Sequence, residues 1–115
     1  EPRRESREVE VSTISRSLKQ LAMDLKIVVV AVSALSRAPE ARRDKRPQTS
    51  DLRESGALES DADQVVLLFR EEMYKPKPEN TGIAECIVAK NRNGPTGVVK
   101  LAWLSELAMF GNLAQ

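Results

Sequence analysis

The sequence predicts an α/β fold, and three observations carry that reading: an apolar stripe at helical spacing, a β-branched apolar run directly behind it, and late strands too close together for helices between them. Val11, Ile14, Leu18, Leu21 and Leu25 recur at intervals of three and four, on one face of a helix over about 6–26. Arg16, Lys19, Gln20 and Asp24 take the other face. Residues 27–33 (IVVVAVS) are apolar on both faces and too short for a helix, as a central strand covered on both sides would be.

Residues 37–48 open with RAPEARRDKR, five basic residues against two acidic ones with prolines nearby, and read as a solvated basic loop. Residues 49–62 follow as a loop and helix, with Ser50 or Asp51 as the cap and Glu54 placed to close a capping box. Residues 64–69 (QVVLLF) give a second buried strand, and Pro76, Pro78, Asn80 and Gly82 mark a turn-rich connection. Strands over 83–89 and 98–104 flank a polar loop of hairpin length, and a short strand over 109–112 ends the order of elements.

Composition excludes more than it proves. In 115 residues, 18 basic and 17 acidic side chains nearly cancel, so an electrostatic site must be local. The sequence contains no histidine, which removes the usual general base and metal ligand and argues against metal-dependent or triad hydrolysis. The single Cys86 lies in an apolar run and reads as a buried structural thiol. No apolar run reaches membrane-span length and no leader pattern is present, so a cytoplasmic setting is expected. The chain opens on Glu1 within a charged segment, which reads as part of something longer.

Two places carry chemistry. A capped helix start with Arg53 near Gly56 presents backbone N–H groups and a guanidinium together, a combination suited to a phosphate; the plainer alternative is a surface Arg53 paired with a carboxylate. Lys90 and Arg92 stand two apart at a strand end, on one side of an extended backbone, before a Gly-Pro turn. Two fixed cations there can stabilise charge on a transferring phosphoryl group; the plainer alternative is a solvated basic loop. Asp61 and Asp63 read as a turn into the next strand rather than a metal pair, and Phe69 and Trp103 as core.

Residues 44–63 (DKRPQTSDLRESGALESDAD) resemble the signature of DnaB-family replicative helicases. ISRSLK at 14–19, VSALSR at 32–37, GIAE at 82–85 and AKNRNGPTG at 89–97 resemble further family elements in the same order. The resemblance implies the C-terminal half of a RecA-like P-loop NTPase fold, truncated upstream, with a mostly parallel sheet continuing into antiparallel C-terminal strands. It implies DNA contacts from Arg53, Glu54 and Gly56, and a catalytic role for Lys90 and Arg92 in trans, on the ATP of a neighbouring subunit. It further implies a homo-hexamer that uses ATP and Mg²⁺, works on single-stranded DNA at the bacterial replication fork, and meets a primase and a helicase loader. SDLRESG and the K-x-RNGPxG element speak against a RecA-type recombinase.

The sequence departs from the family at Ala34, where Gln commonly senses the γ-phosphate, and at Met109, where Arg commonly precedes the Phe. No Gly-x-x-x-x-Gly-Lys-[Ser/Thr] occurs, so the chain alone is expected neither to bind nor to hydrolyse ATP, with no metal or cofactor held in cis. The RecA-like fold that the resemblance implies would put the strands at 27–33 and 64–69 on either side of an empty slot in the sheet. A non-catalytic DNA-binding or assembly module derived from a helicase is the alternative of a different class.

Overall fold

A computed structural model describes residues 2–53 and 55–113. The order is α1 (Pro2–Leu25), α2 (Ser55–Asp61), β1 (Gln64–Phe69), β2 (Ile83–Asn91), β3 (Gly97–Leu104) and β4 (Met109–Gly111), with short 3₁₀ turns between them. The four strands form one sheet in sequential order, and every ladder is antiparallel. β2, β3 and β4 follow one another through short loops and pair in this sense because a hairpin needs no crossover, whereas β1 reaches β2 through the longer connection at 70–82.

β1 shows why one face is core. Val65, Leu67 and Phe69 are buried while Val66 and Leu68 point outward, the period of two that a strand imposes. Each large apolar side chain so buried contributes about 1.5–3 kcal/mol. Phe69 stacks on Tyr74 at 5.9 Å between centroids, and the Arg46 guanidinium lies over the Phe69 ring at 5.0 Å from its centre. Trp103 packs against Phe110 at 5.0 Å and beneath Arg70 at 4.9 Å. Phe69 is thus core, Trp103 is half-buried, and Cys86 is a half-buried free thiol rather than a deeply buried one.

Three expectations need correction. The expected parallel sheet does not form among the described residues. Residues 27–33 are extended but have no ladder partner, and Val28, Val30 and Val32 are 89%, 85% and 99% exposed. A β-branched run supplies strand propensity, but a strand also needs a neighbour for its N–H and C=O groups. The α1 stripe is likewise uncovered at Ile14, Leu21 and Leu25, and the helix meets α2 instead through buried Ser15.

The basic loop is the third. It is tied down rather than solvated: Arg42 donates from Nη1 and Nη2 to the two oxygens of Asp51 at 3.0 and 2.6 Å, and Arg46 donates to Glu85 at 2.8 and 2.6 Å. Asp51 does not cap a helix over 49–62. It closes a 3₁₀ turn, Thr49–Asp51, by accepting the Gln48 N–H at 2.7 Å, and α2 starts only at Ser55. The proposed closure by Glu54 lies outside the described residues.

Candidate functional site

The loop carrying Arg53 is clipped to the end of the 27–33 run. Ser36 N–H donates to Asp51 O at 2.7 Å, Arg53 N–H donates to Ala34 O at 3.1 Å, and Leu35 and Leu52 form an antiparallel bridge. Below this clip sits Asp51, only 2% exposed and held by Arg42. That hydrogen bond from Arg42 keeps the Asp51 carboxyl below its ordinary pKa, against the opposing effect of desolvation. The result is a fixed backbone with the Arg53 side chain exposed beyond it. Gly56 is also exposed, and a Cβ there would meet nothing within 4 Å. Packing therefore does not demand glycine, and its backbone is not screened by a side chain. Glu54 lies outside the described residues.

Lys90 and Arg92 come to the other end of α2. The β1–β2 register slips by one residue: Val66 faces Val88 but Val65 faces Lys90, leaving Ala89 unpaired. Such an irregularity re-aims a side chain. Here it puts Lys90 opposite buried Val65, on the side where α2 lies, and Nζ donates to Glu59 O at 2.7 Å and Ser60 O at 3.3 Å. A lysine on the last carbonyls of a helix satisfies acceptors that have no intrahelical partner. Arg92 donates from Nη1 to Asp63 Oδ1 at 2.6 Å.

Asp63 gathers more than this one cation. Lys19 of α1 donates to the same Oδ1 at 2.7 Å, and the Asp63 carboxyl lies below its ordinary pKa, first through Lys19 and also through the charges of Arg92 and Lys90. Asp61 receives the Ser15 hydroxyl at 2.8 Å and lies 3.3 Å from Arg16 Nε. Both aspartates therefore join α1 to the end of α2, whose last residue is Asp61, roles that the turn expected for them did not disclose. Nothing local signals them, because their partners stand tens of residues away in the sequence.

The two sets of residues singled out from sequence thus bracket one short helix. Arg53 and Gly56 lie at its start, Lys90 at its end, and a helix of seven residues is about 10 Å long. The chain has no phosphate loop, and no group of carboxylate, thiol or imidazole side chains suited to a metal occurs among the described residues. Among the described residues, Lys90 and Arg92 are the cations singled out near the end of α2, and both are engaged by oxygens of the chain itself. No helix among the described residues is long and apolar enough to cross a membrane.

Solved structures place this architecture among ATPase domains. A solved ATPase domain superposes with a TM-score of 0.89 and 50% identity, over 94% of this chain and 38% of that one. The structure of a DnaB-like replicative helicase described with its interactions with primase does so with the same TM-score and identity, over 94% of this chain and 26% of that one.

The family model for the DnaB-like helicase C-terminal domain matches residues 1–112, and the chain belongs to that family. It is 54% identical over 110 residues to the replicative DNA helicase DnaB of Geobacillus stearothermophilus and 51% identical over 110 residues to the replicative DNA helicase DnaC of Bacillus subtilis. The match takes in 96% of this chain and 24% of each relative, so the chain spans about a quarter of their length.

Proposed function

We propose that this chain is the C-terminal part of the motor of a hexameric, ATP-dependent replicative DNA helicase, which moves on single-stranded DNA and unwinds the duplex at the bacterial replication fork. Arg53, Glu54 and Gly56 contact the DNA backbone, and Lys90 and Arg92 act in trans on the nucleotide of the neighbouring subunit. One observation carries the reading: α2 begins beside Arg53 and Gly56 and ends on Lys90, so a pull on DNA at one end is felt by a phosphate-directed cation at the other. The scarcity of aromatic residues agrees with phosphate tracking rather than base stacking. Primase is a partner by analogy with the solved DnaB-like helicase, and a loader is expected with it.

ATP with Mg²⁺ supplies the bond whose cleavage drives movement; this chain contributes charge and position. Lys90 would have to exchange one of its carbonyl contacts for phosphate, whereas the Arg92 guanidinium engages Asp63 through one of its nitrogens. In the full-length protein, Arg92→Ala should lower DNA-stimulated ATP turnover about 10³-fold. Arg53→Ala should weaken single-strand DNA binding and reduce its salt slope by about one. The isolated chain should show no turnover; turnover dependent on Lys90 would overturn the reading.

Ala34 favours a second reading, a non-catalytic DNA-binding or assembly module, because its methyl group can neither donate nor accept. That module would bind DNA through Arg53 while the full-length protein lacks turnover.

A further inference from the structure

Asp63 holds the finger arginine at two levels. Its carbonyl oxygen accepts the Arg92 N–H at 2.9 Å, and its Oδ1 accepts from Arg92 Nη1 at 2.6 Å. The first contact fixes where the turn after β2 leaves the sheet, and the second fixes which way the guanidinium points. The carboxylate is shared with Lys19, which anchors it to α1 at 2.7 Å. Among the described residues Nη2 and Nε of Arg92 have no protein acceptor, so one edge of the fork stays available. An arginine of about half exposure would otherwise sample many rotamers, and ordering it at the moment of reaction has an entropic cost.

We propose that Asp63 is a positioning residue for Arg92: with Lys19 behind it, it orients the guanidinium so that its free edge meets the transferring phosphoryl group of the adjacent subunit. The proposal rests on the assignment of Arg92 as a finger acting in trans. Asp63 itself touches no nucleotide. It restrains the cation through one guanidinium nitrogen and leaves the other two free, the arrangement expected of an orienting partner rather than of a closed ion pair.

The test uses the full-length helicase. Asp63→Asn should lower kcat at least about 10-fold with KM within roughly twofold, because misplacing a reacting group penalises the transition state more than ground-state binding. Asp63→Glu should recover most of kcat, as a carboxylate can still accept from Nη1. Without nucleotide, phenylglyoxal should modify Arg92 several-fold faster in Asp63→Asn than in the parent, read by peptide mass. The thermal midpoint serves as the control for a purely structural effect. An Asp63→Asn protein with parent kcat and parent Arg92 labelling, alongside an inactive Arg92→Ala, would overturn the positioning role and leave the finger standing. Loss of kcat with a lowered midpoint, unchanged labelling and no recovery in Asp63→Glu would also overturn it. If Arg92→Ala keeps full turnover, the finger assignment fails, and the positioning role fails with it.

Discussion

Residues 27–33 and residues 37–53 invert what composition suggests. The first stretch is apolar and β-branched, yet three of its valines are almost fully exposed; the second is dense in charge, yet it contains Asp51 at 2% exposure. The difference lies in partners. An extended run needs a neighbouring strand for its backbone and packed elements on its faces for its side chains, and among the described residues 27–33 has no ladder partner and little cover on these valines. Arg42 and Arg46 find carboxylates within the chain and close both of them bidentately. Burial follows the partners at hand more than the hydropathy of the segment, and the charged loop is the firmer of the two.

The largest effect should come from opening that loop. Asp51→Ala strands a half-buried Arg42 and frees the Gln48 N–H, with a cost of about 2–3 kcal/mol. Thermal or denaturant unfolding measures it. Amide exchange at Ser36 and Arg53 should accelerate in parallel, because both N–H groups belong to the clip above Asp51. An unchanged midpoint would mean that the ion pair is ornamental and would remove the contrast between the two regions.

Acid should attack that loop through Asp51, and the rest of the chain through two carboxylates outside it. Asp51 and Asp63 both have lowered pKa values, so the stability they contribute is complete above the ordinary carboxylate range and is lost as pH falls below it. Glu71, depressed first by its hydrogen bond from Asn80, acts in the same direction. Denaturant midpoints should therefore hold between about pH 5 and pH 7 and fall towards pH 3. Asp51→Asn should start lower on the plateau and lose less on acidification. A steeper acid limb in Asp51→Asn would show that the carboxyl is not the group being titrated.

The strands were legible where local pattern was sufficient. Residues 64–69 were recognisable as a strand because apolar β-formers run between an aspartate turn and an arginine, and the hairpin strands differ from expectation only by a residue or two at their ends. The hidden parts depend on distance in sequence. Arg46 meets Glu85 across 39 positions, and Arg92 meets Asp63 across 29, and no local spacing announces either pair. The slip at Ala89 that turns Lys90 towards α2 is equally silent, since the sequence there reads as regular strand. The Arg53 loop and the Lys90–Arg92 hairpin were located by motif, but what holds them became visible only in three dimensions.

The smallest effect should come from the apolar stretch. Val30→Ser would ordinarily empty a core position, yet at 85% exposure the valine has little to lose, and the stability of this chain should change by no more than about 0.5 kcal/mol. Self-association should change more. A flat, unpaired, β-branched segment templates pairing with a second chain, so Val30→Ser should lower light scattering at high concentration without moving the unfolding midpoint. In the full-length protein the outcome should reverse: if elements packed on its faces cover this run there, the same substitution lowers the midpoint by more than about 1 kcal/mol equivalent. A midpoint equally insensitive in both contexts would mean that residues 27–33 stay uncovered throughout, and their exposure would then need a cause other than a missing neighbour.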